Sequence, residues 1–117
     1  MLTRLMLICA LFASIAFAQS AQDPVVVFTQ RTIANTKSYR PADGYVPDAK
    51  TAVAIATAVL TPIYGKSDID SESPWHTGLK NGIWTVVGTF NGKGNGGEAI
   101  VQIDQETGAI RFVGHTR

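Results

Sequence analysis

The sequence predicts an α+β domain, with one main helix packed on a curved antiparallel sheet of three to four strands and a signal peptide and N-terminal arm ahead of it. Three observations predict this. Residues 47–64 carry apolar side chains at helical spacing, and from residue 68 onward the period changes to two. The strands are grouped after the helix and joined by short turns, which favours α+β over alternating parallel units.

The first segment reads as an export signal. Arg4 supplies a positive start, and the apolar run from Leu5 to Phe17 is too short for a bilayer-spanning helix, which needs about 20 residues. Ala16-Phe17-Ala18 is a small-x-small cleavage site, so Gln19 is the expected new N-terminus. An uncleaved anchor is disfavoured by the short run. A lipoprotein signal is disfavoured because Cys9 lies inside the run, behind Leu7-Ile8. The expected localisation is periplasmic or secreted, with no stable membrane anchor after cleavage. Cys9 is the only cysteine, so the remaining 99 residues have no disulfide and no Cys metal site. A chain of that length makes one domain. Loss of Arg4 leaves nine Lys and Arg against nine Asp and Glu, scattered without a basic stripe. No nucleic-acid partner is expected, because binding to phosphates rests on such a stripe.

The expected organisation is a signal over 1–18, an arm over 19–46 and the main domain over 47–117. Within the arm, Val25-Val26-Val27-Phe28 has strand composition and is either a short strand or an apolar segment laid on the core. A polar loop with Asn35, Ser38, Pro41, Asp43 and Gly44 follows. Pro47-Asp48 suits a helix start. Val53, Ala56, Leu60 and Ile63 then recur at helical spacing, with Ala49, Ala52 and Val59 widening the stripe. Pro62 should kink or tighten the last turn before Gly65, a natural C-cap.

Asp68 to His76 reads as a polar edge strand, with Asp68, Asp70 and Glu72 on one face. Gly78 to Gly82 reads as a turn around the hairpin pair Asn81-Gly82. Ile83 to Phe90 is a strand, Asn91 to Gly97 a glycine-rich tip, and Glu98 to Asp104 a strand with Ala99, Val101 and Ile103 on one face. Residues 105–108 turn the chain into a last strand, Ala109 to His115. The sheet face away from the helix carries Ile100, Trp84 or Val87, and Phe112 or Val113, a partly apolar surface suited to a cavity or docking.

No catalytic centre is legible. His76 and His115 share no motif, and two histidines fall short of a zinc ligand set. The acidic triplet lacks the mid-loop glycine of a calcium loop. The glycine-rich run enters a strand rather than a helix, unlike a phosphate loop. No nucleophile elbow occurs. No cofactor or metal is expected, and the protein reads as a non-enzyme. Trp84 is expected in the core. Trp75, on a polar strand, is expected to be more exposed and to suit an interface. Trp75, His76, Lys93 and Asn95 are the candidate partner-binding residues.

From Gly44 to the C-terminus the chain resembles the bacterial immunity proteins with a cone-like, nuclear-transport-factor-2-like fold. The matching pieces include Tyr45-Val46-Pro47-Asp48, Leu60-Thr61-Pro62-Ile63-Tyr64-Gly65, Asn81-Gly82-Ile83-Trp84 and Ile103-Asp104-Gln105-Glu106-Thr107-Gly108. The resemblance implies a domain that binds and neutralises a partner toxin and has no catalysis of its own. The last hairpin, Val101 to Ile110, also looks like the strand pair of periplasmic propeptide-type (PepSY) inhibitor domains. That likeness implies a peptidase as partner, or a chaperone role. A small-ligand-binding or enzymatic member of the wider cone-shaped fold is the third reading, and fold alone does not choose among the three.

Overall fold

A computed structural model describes residues 23–92 and 96–116. The predicted signal and the candidate residues Lys93 and Asn95 lie outside these described residues. The chain divides into two compact units, one ending at Lys37 and the other beginning at Ser38.

The described part of the first unit is a helix, α1, over Pro24–Ile33, not the short strand that the valines suggest. Local start signals outweigh β-propensity here. The Asp23 side chain caps the helix by accepting from Val25 N at 2.8 Å, and Pro24 stands at the first helical position. Thr32 Oγ1 donates back to the Phe28 carbonyl, which occupies a hydroxyl that a strand would project sideways. None of the helix's residues is buried.

The second unit carries α2 (Ala49–Tyr64), α3 (Lys66–Ser71), β1 (His76–Lys80), β2 (Ile83–Val87), β3 (Ala99–Asp104) and β4 (Ile110–His115). The strands form one antiparallel sheet in the order β1-β2-β3-β4, so the α+β class and its antiparallel sheet are as the pattern predicts. Asp48 is the N-cap of α2 and accepts from Thr51 N at 2.7 Å, which places Pro47 one residue before the cap. Pro62 lies inside the last turn. Gly65, at a positive φ of 90° that glycine favours, ends the helix and donates to the Thr61 carbonyl at 2.9 Å.

Ala52, Ala56 and Leu60 are the fully buried face of α2. They pack with Ile69, Trp84, Val86, Ala99, Val101, Ile103 and Val46 into one core. Two alanines bring the helix close to the sheet, and the space is filled from the strands by Trp84 and the branched residues.

The segment after Gly65 departs from the predicted edge strand. It is a short helix with Asp68 in its first turn and a Lys66–Asp70 ion pair one turn apart. Ile69 explains the difference. It is the one apolar residue of α3 and is 2 % exposed, and a helical turn delivers it to the core. The apparent alternation of Asp68, Asp70 and Glu72 is a coincidence of spacing on polar positions. The strand proper begins only at His76, and Gly78, Leu79 and Lys80 belong to it rather than to the turn.

Asn81 and Gly82 alone make the β1–β2 turn. Both have positive φ, 51° and 73°, the pair of values a two-residue type I′ hairpin requires. Between β3 and β4 the register passes from Gln102↔Phe112 to Ile103↔Ile110, so Arg111 is an extra, bulged residue.

The β3–β4 turn is held by one side chain. Asp104 Oδ1 accepts from Glu106 N and Thr107 N at 3.0 Å each, and Oδ2 accepts from the Arg111 guanidinium at 2.8 Å. These bonds, Arg111 first, lower the Asp104 pKa from 3.8 to about 2. Because the folded value is depressed, the stability it contributes is present above the unfolded value and is lost as pH falls through about 2. Asp48 adds to the same trend, its pKa lowered first by the Thr51 backbone bond. The melting temperature is expected to fall between pH 4 and pH 2. Asp104→Asn is expected to flatten that limb in a pH series of thermal melts, and an unchanged limb would remove Asp104 as its source.

Candidate functional site

The sheet has one face under the helices and one open face within this unit. Period-two geometry assigns the residues. Trp84, Val86, Val101 and Ile103 point to the core, and their partners Thr77, Leu79 and Val113 share that face. The alternation left open in the sequence is thereby resolved, with Val87, Ile100 and Phe112 on the open side and Trp84 and Val113 on the helix side.

The open face carries Ile83, Val87, Ile100 and Phe112, set around the polar pair Thr85 and Gln102. Phe112 is 49 % exposed, so the ring is available for contact. It lies over Gly114, where a Cβ would stand 2.6 Å from Phe112 Cζ, so the glycine makes room for the ring. Gln102 Nε2 donates to Thr85 Oγ1 at 3.2 Å in the middle of that face, and the two residues, with Lys80, Asn81, Ile83 and Arg111, line a shallow depression of about 510 Å³. Arg111 is tied to Asp104, whereas Lys80 has no ion-pair partner among the described residues.

A second concavity, of about 600 Å³, lies on the helix side, where α2 and α3 meet the ends of β3 and β4. Tyr64 and His115 form one wall, their rings stacked with centroids 5.4 Å apart. Phe90 and Ile69 are further apolar walls, and Asp68 and Glu72 supply carboxylates. Glu72 Oε2 accepts from Ala99 N at 3.3 Å and lies against Gly88, where a Cβ would stand 2.5 Å from that oxygen. Partial burial raises the Glu72 pKa, opposed by the Ala99 bond and by His115, with Glu98 and Asp68 raising it further. Glu98 accepts a 2.6 Å bond from Thr116 Oγ1, which lowers its own pKa.

Two of the four candidate binding residues fall among the described ones. Trp75 is half-buried and packs against the core, so it is less exposed than a polar strand would make it. It precedes β1 rather than lying within a strand. His76 is exposed at the start of β1 on the open face, with Nε2 3.2 Å from Thr89 Oγ1. Trp75 and His76 thus differ in exposure, the first half-buried and the second exposed. Lys80 and Arg111 are not legible as neighbours in the sequence, because the polar alternation from Asp68 conceals where β1 begins and a bulge is invisible in a period count. Nor is the grouping of Tyr64, Glu72 and His115 legible there, since they come from three separate elements. Glycines at 88 and 96 were the available signal. Each sits where another side chain needs the space, Glu72 over Gly88 and the His115 ring against Gly96.

Among the described residues no group of three or more His, Cys, Asp or Glu is placed to hold a metal ion. A helix pair against one face of a four-stranded antiparallel sheet, with the other face left open within this unit, is an α+β scaffold of the cone-like kind. The NTF2 fold immunity protein family matches residues 51–117, and the chain belongs to that family. No curated protein and no solved structure matches the chain.

Proposed function

We propose that the protein is an exported, non-catalytic binding protein that neutralises a partner toxin by direct protein–protein contact, docking it on the open sheet face. Membership of an immunity-protein family supports a protein partner. The observation that carries the choice of surface is the open face itself. Phe112, exposed on the edge strand β4, stands beside the Thr85–Gln102 pair, with Arg111 and Lys80 close by and Ile83, Val87 and Ile100 on the same face, a mixture of aromatic, arginine and polar groups of the kind found at interfaces. His76 lies at the far end of the same face and belongs to the rim. The export reading rests on Arg4, the apolar run to Phe17 and the Ala16-Phe17-Ala18 site, and it places the encounter with the toxin outside the cytoplasm.

The test is neutralisation. A toxin that is inhibitory when sent to the same compartment is expected to lose its effect when the full chain is co-expressed. Phe112→Asp is expected to abolish the relief while leaving the melting temperature nearly unchanged, because the ring is half-exposed and lies outside the core. Full relief by the Phe112→Asp chain would remove the open face as the docking surface. Retention of the unprocessed chain in the cytoplasm would remove the export reading.

A further inference from the structure

We propose that the cleft between α2, α3 and the ends of β3 and β4 binds a guanidinium or ammonium group carried on an apolar stem. Its dimensions fit a small ligand, since about 600 Å³ lies within the roughly 300–1,000 Å³ of ligand pockets. Its walls divide by chemistry. Tyr64, Ile69 and Phe90 offer apolar and aromatic surface for a stem, while Asp68 and Glu72 offer carboxylates for a cation. His115, stacked on Tyr64, completes the wall.

The charge balance of the cleft points to a cation. Among the described residues, Asp68 and Glu72 both line the cleft and neither forms an ion pair, while the His115 ring is the one basic group of the lining. Glu72 is held partly out of water, by its bond to Ala99 N and by its seat over Gly88. A partly buried carboxylate beside like charges is relieved by a cation, and a guanidinium meets a carboxylate through two parallel N–H donors. The aromatic walls add attraction for a cation at their faces. The cleft opens on the helix side of the sheet, so it is distinct from the open face proposed for toxin docking, and either proposal can fail without the other.

Two sources supply this chemistry: a free small cation, or an arginine or lysine side chain of a protein. Both are tested by titrating the full chain with pentylguanidine, its neutral isostere pentylurea, and the peptide acetyl-Gly-Arg-Gly-amide, following the ring resonances of Tyr64 and His115 by NMR. Saturable shifts are expected with pentylguanidine, with pentylurea weaker by at least about tenfold. Glu72→Gln is expected to weaken binding by a similar factor and still to fold. It removes a charge that burial disfavours and keeps an acceptor for Ala99 N. Asp68→Asn, at an exposed position, is a second variant expected to weaken binding without touching the core. Tighter binding of the peptide than of pentylguanidine assigns the cation to a protein side chain, and the reverse assigns it to a free small molecule. Absence of saturable shifts with both cationic probes, equal binding of pentylurea, or unchanged affinity in both variants would overturn the proposal.

Discussion

Trp84→Ala is expected to lower the stability of the fold by about 3–5 kcal/mol, as truncation of a buried aromatic does. For a domain of this size that corresponds to a drop in melting temperature of roughly 20 °C. The indole is 8 % exposed at the centre of the core, between the buried face of α2 and the strands. It also performs a second task. Its Nε1–H donates to the Val46 carbonyl at 2.8 Å, tying the segment before α2 to the second strand. Alanine leaves a cavity that Ala52 and Ala56 are too small to refill, and it leaves that carbonyl without its indole donor. Trp84→Phe separates the two effects. It retains most of the apolar volume and loses the donor, with an expected loss of about 1 kcal/mol from the hydrogen bond and a further loss from the smaller ring. The measurement is urea unfolding of the three proteins. A loss of under about 1 kcal/mol for the alanine variant, no more than the hydrogen bond alone is worth, would contradict the placement of the ring in the core.

The parts of this fold that were legible in the sequence are those fixed by short-range signals. Asp48 announces α2 through a local cap, Asn81-Gly82 announces a hairpin through φ alone, and Ala99, Val101 and Ile103 announce a one-sided strand through period two. Where two local signals compete, composition alone misleads. Val25 to Phe28 has strand composition, but Asp23-Pro24 starts a helix. Asp68, Asp70 and Glu72 alternate, but Lys66 and Asp70 pair across a helical turn and Ile69 needs the core. The candidate sites were less legible still. Phe112 reaches the open face because a bulge at Arg111 resets the register, and a bulge leaves no trace in a hydrophobic pattern. The end cleft joins Tyr64, Glu72 and His115 across tens of residues, which no spacing rule links. The polar sequence neighbours of Trp75 suggest exposure, whereas the core it packs against decides it.

Gly44→Ala is expected to cost about 3 kcal/mol, more than its place in a loop suggests. Gly44 is buried and has φ of 80°, where an L side chain is strained by roughly 1–2 kcal/mol. A Cβ there would also run into the backbone of the β3–β4 turn, meeting the Gln105 carbonyl oxygen and coming within 2.6 Å of Glu106 Cα. Backbone cannot rotate out of the way as a side chain can, so the two segments must separate. Their separation breaks the bonds from Tyr45 N to the Glu106 carbonyl and from Val46 N to the Gln105 carbonyl, both 3.0 Å, each worth about 1 kcal/mol. Val46 is fully buried and is the residue whose carbonyl accepts the Trp84 indole. Gly44 and Trp84 therefore hold the same strap from two sides, one against the turn and one against the second strand. Their effects should not add. Once either anchor is lost, the other has less to hold, and the double variant Gly44→Ala/Trp84→Ala is expected to lose about 1–2 kcal/mol less than the two single losses together. Strict additivity in urea unfolding would show that the turn contact and the indole bond act on independent parts of the chain, and residues 44–46 would then not be a single strap.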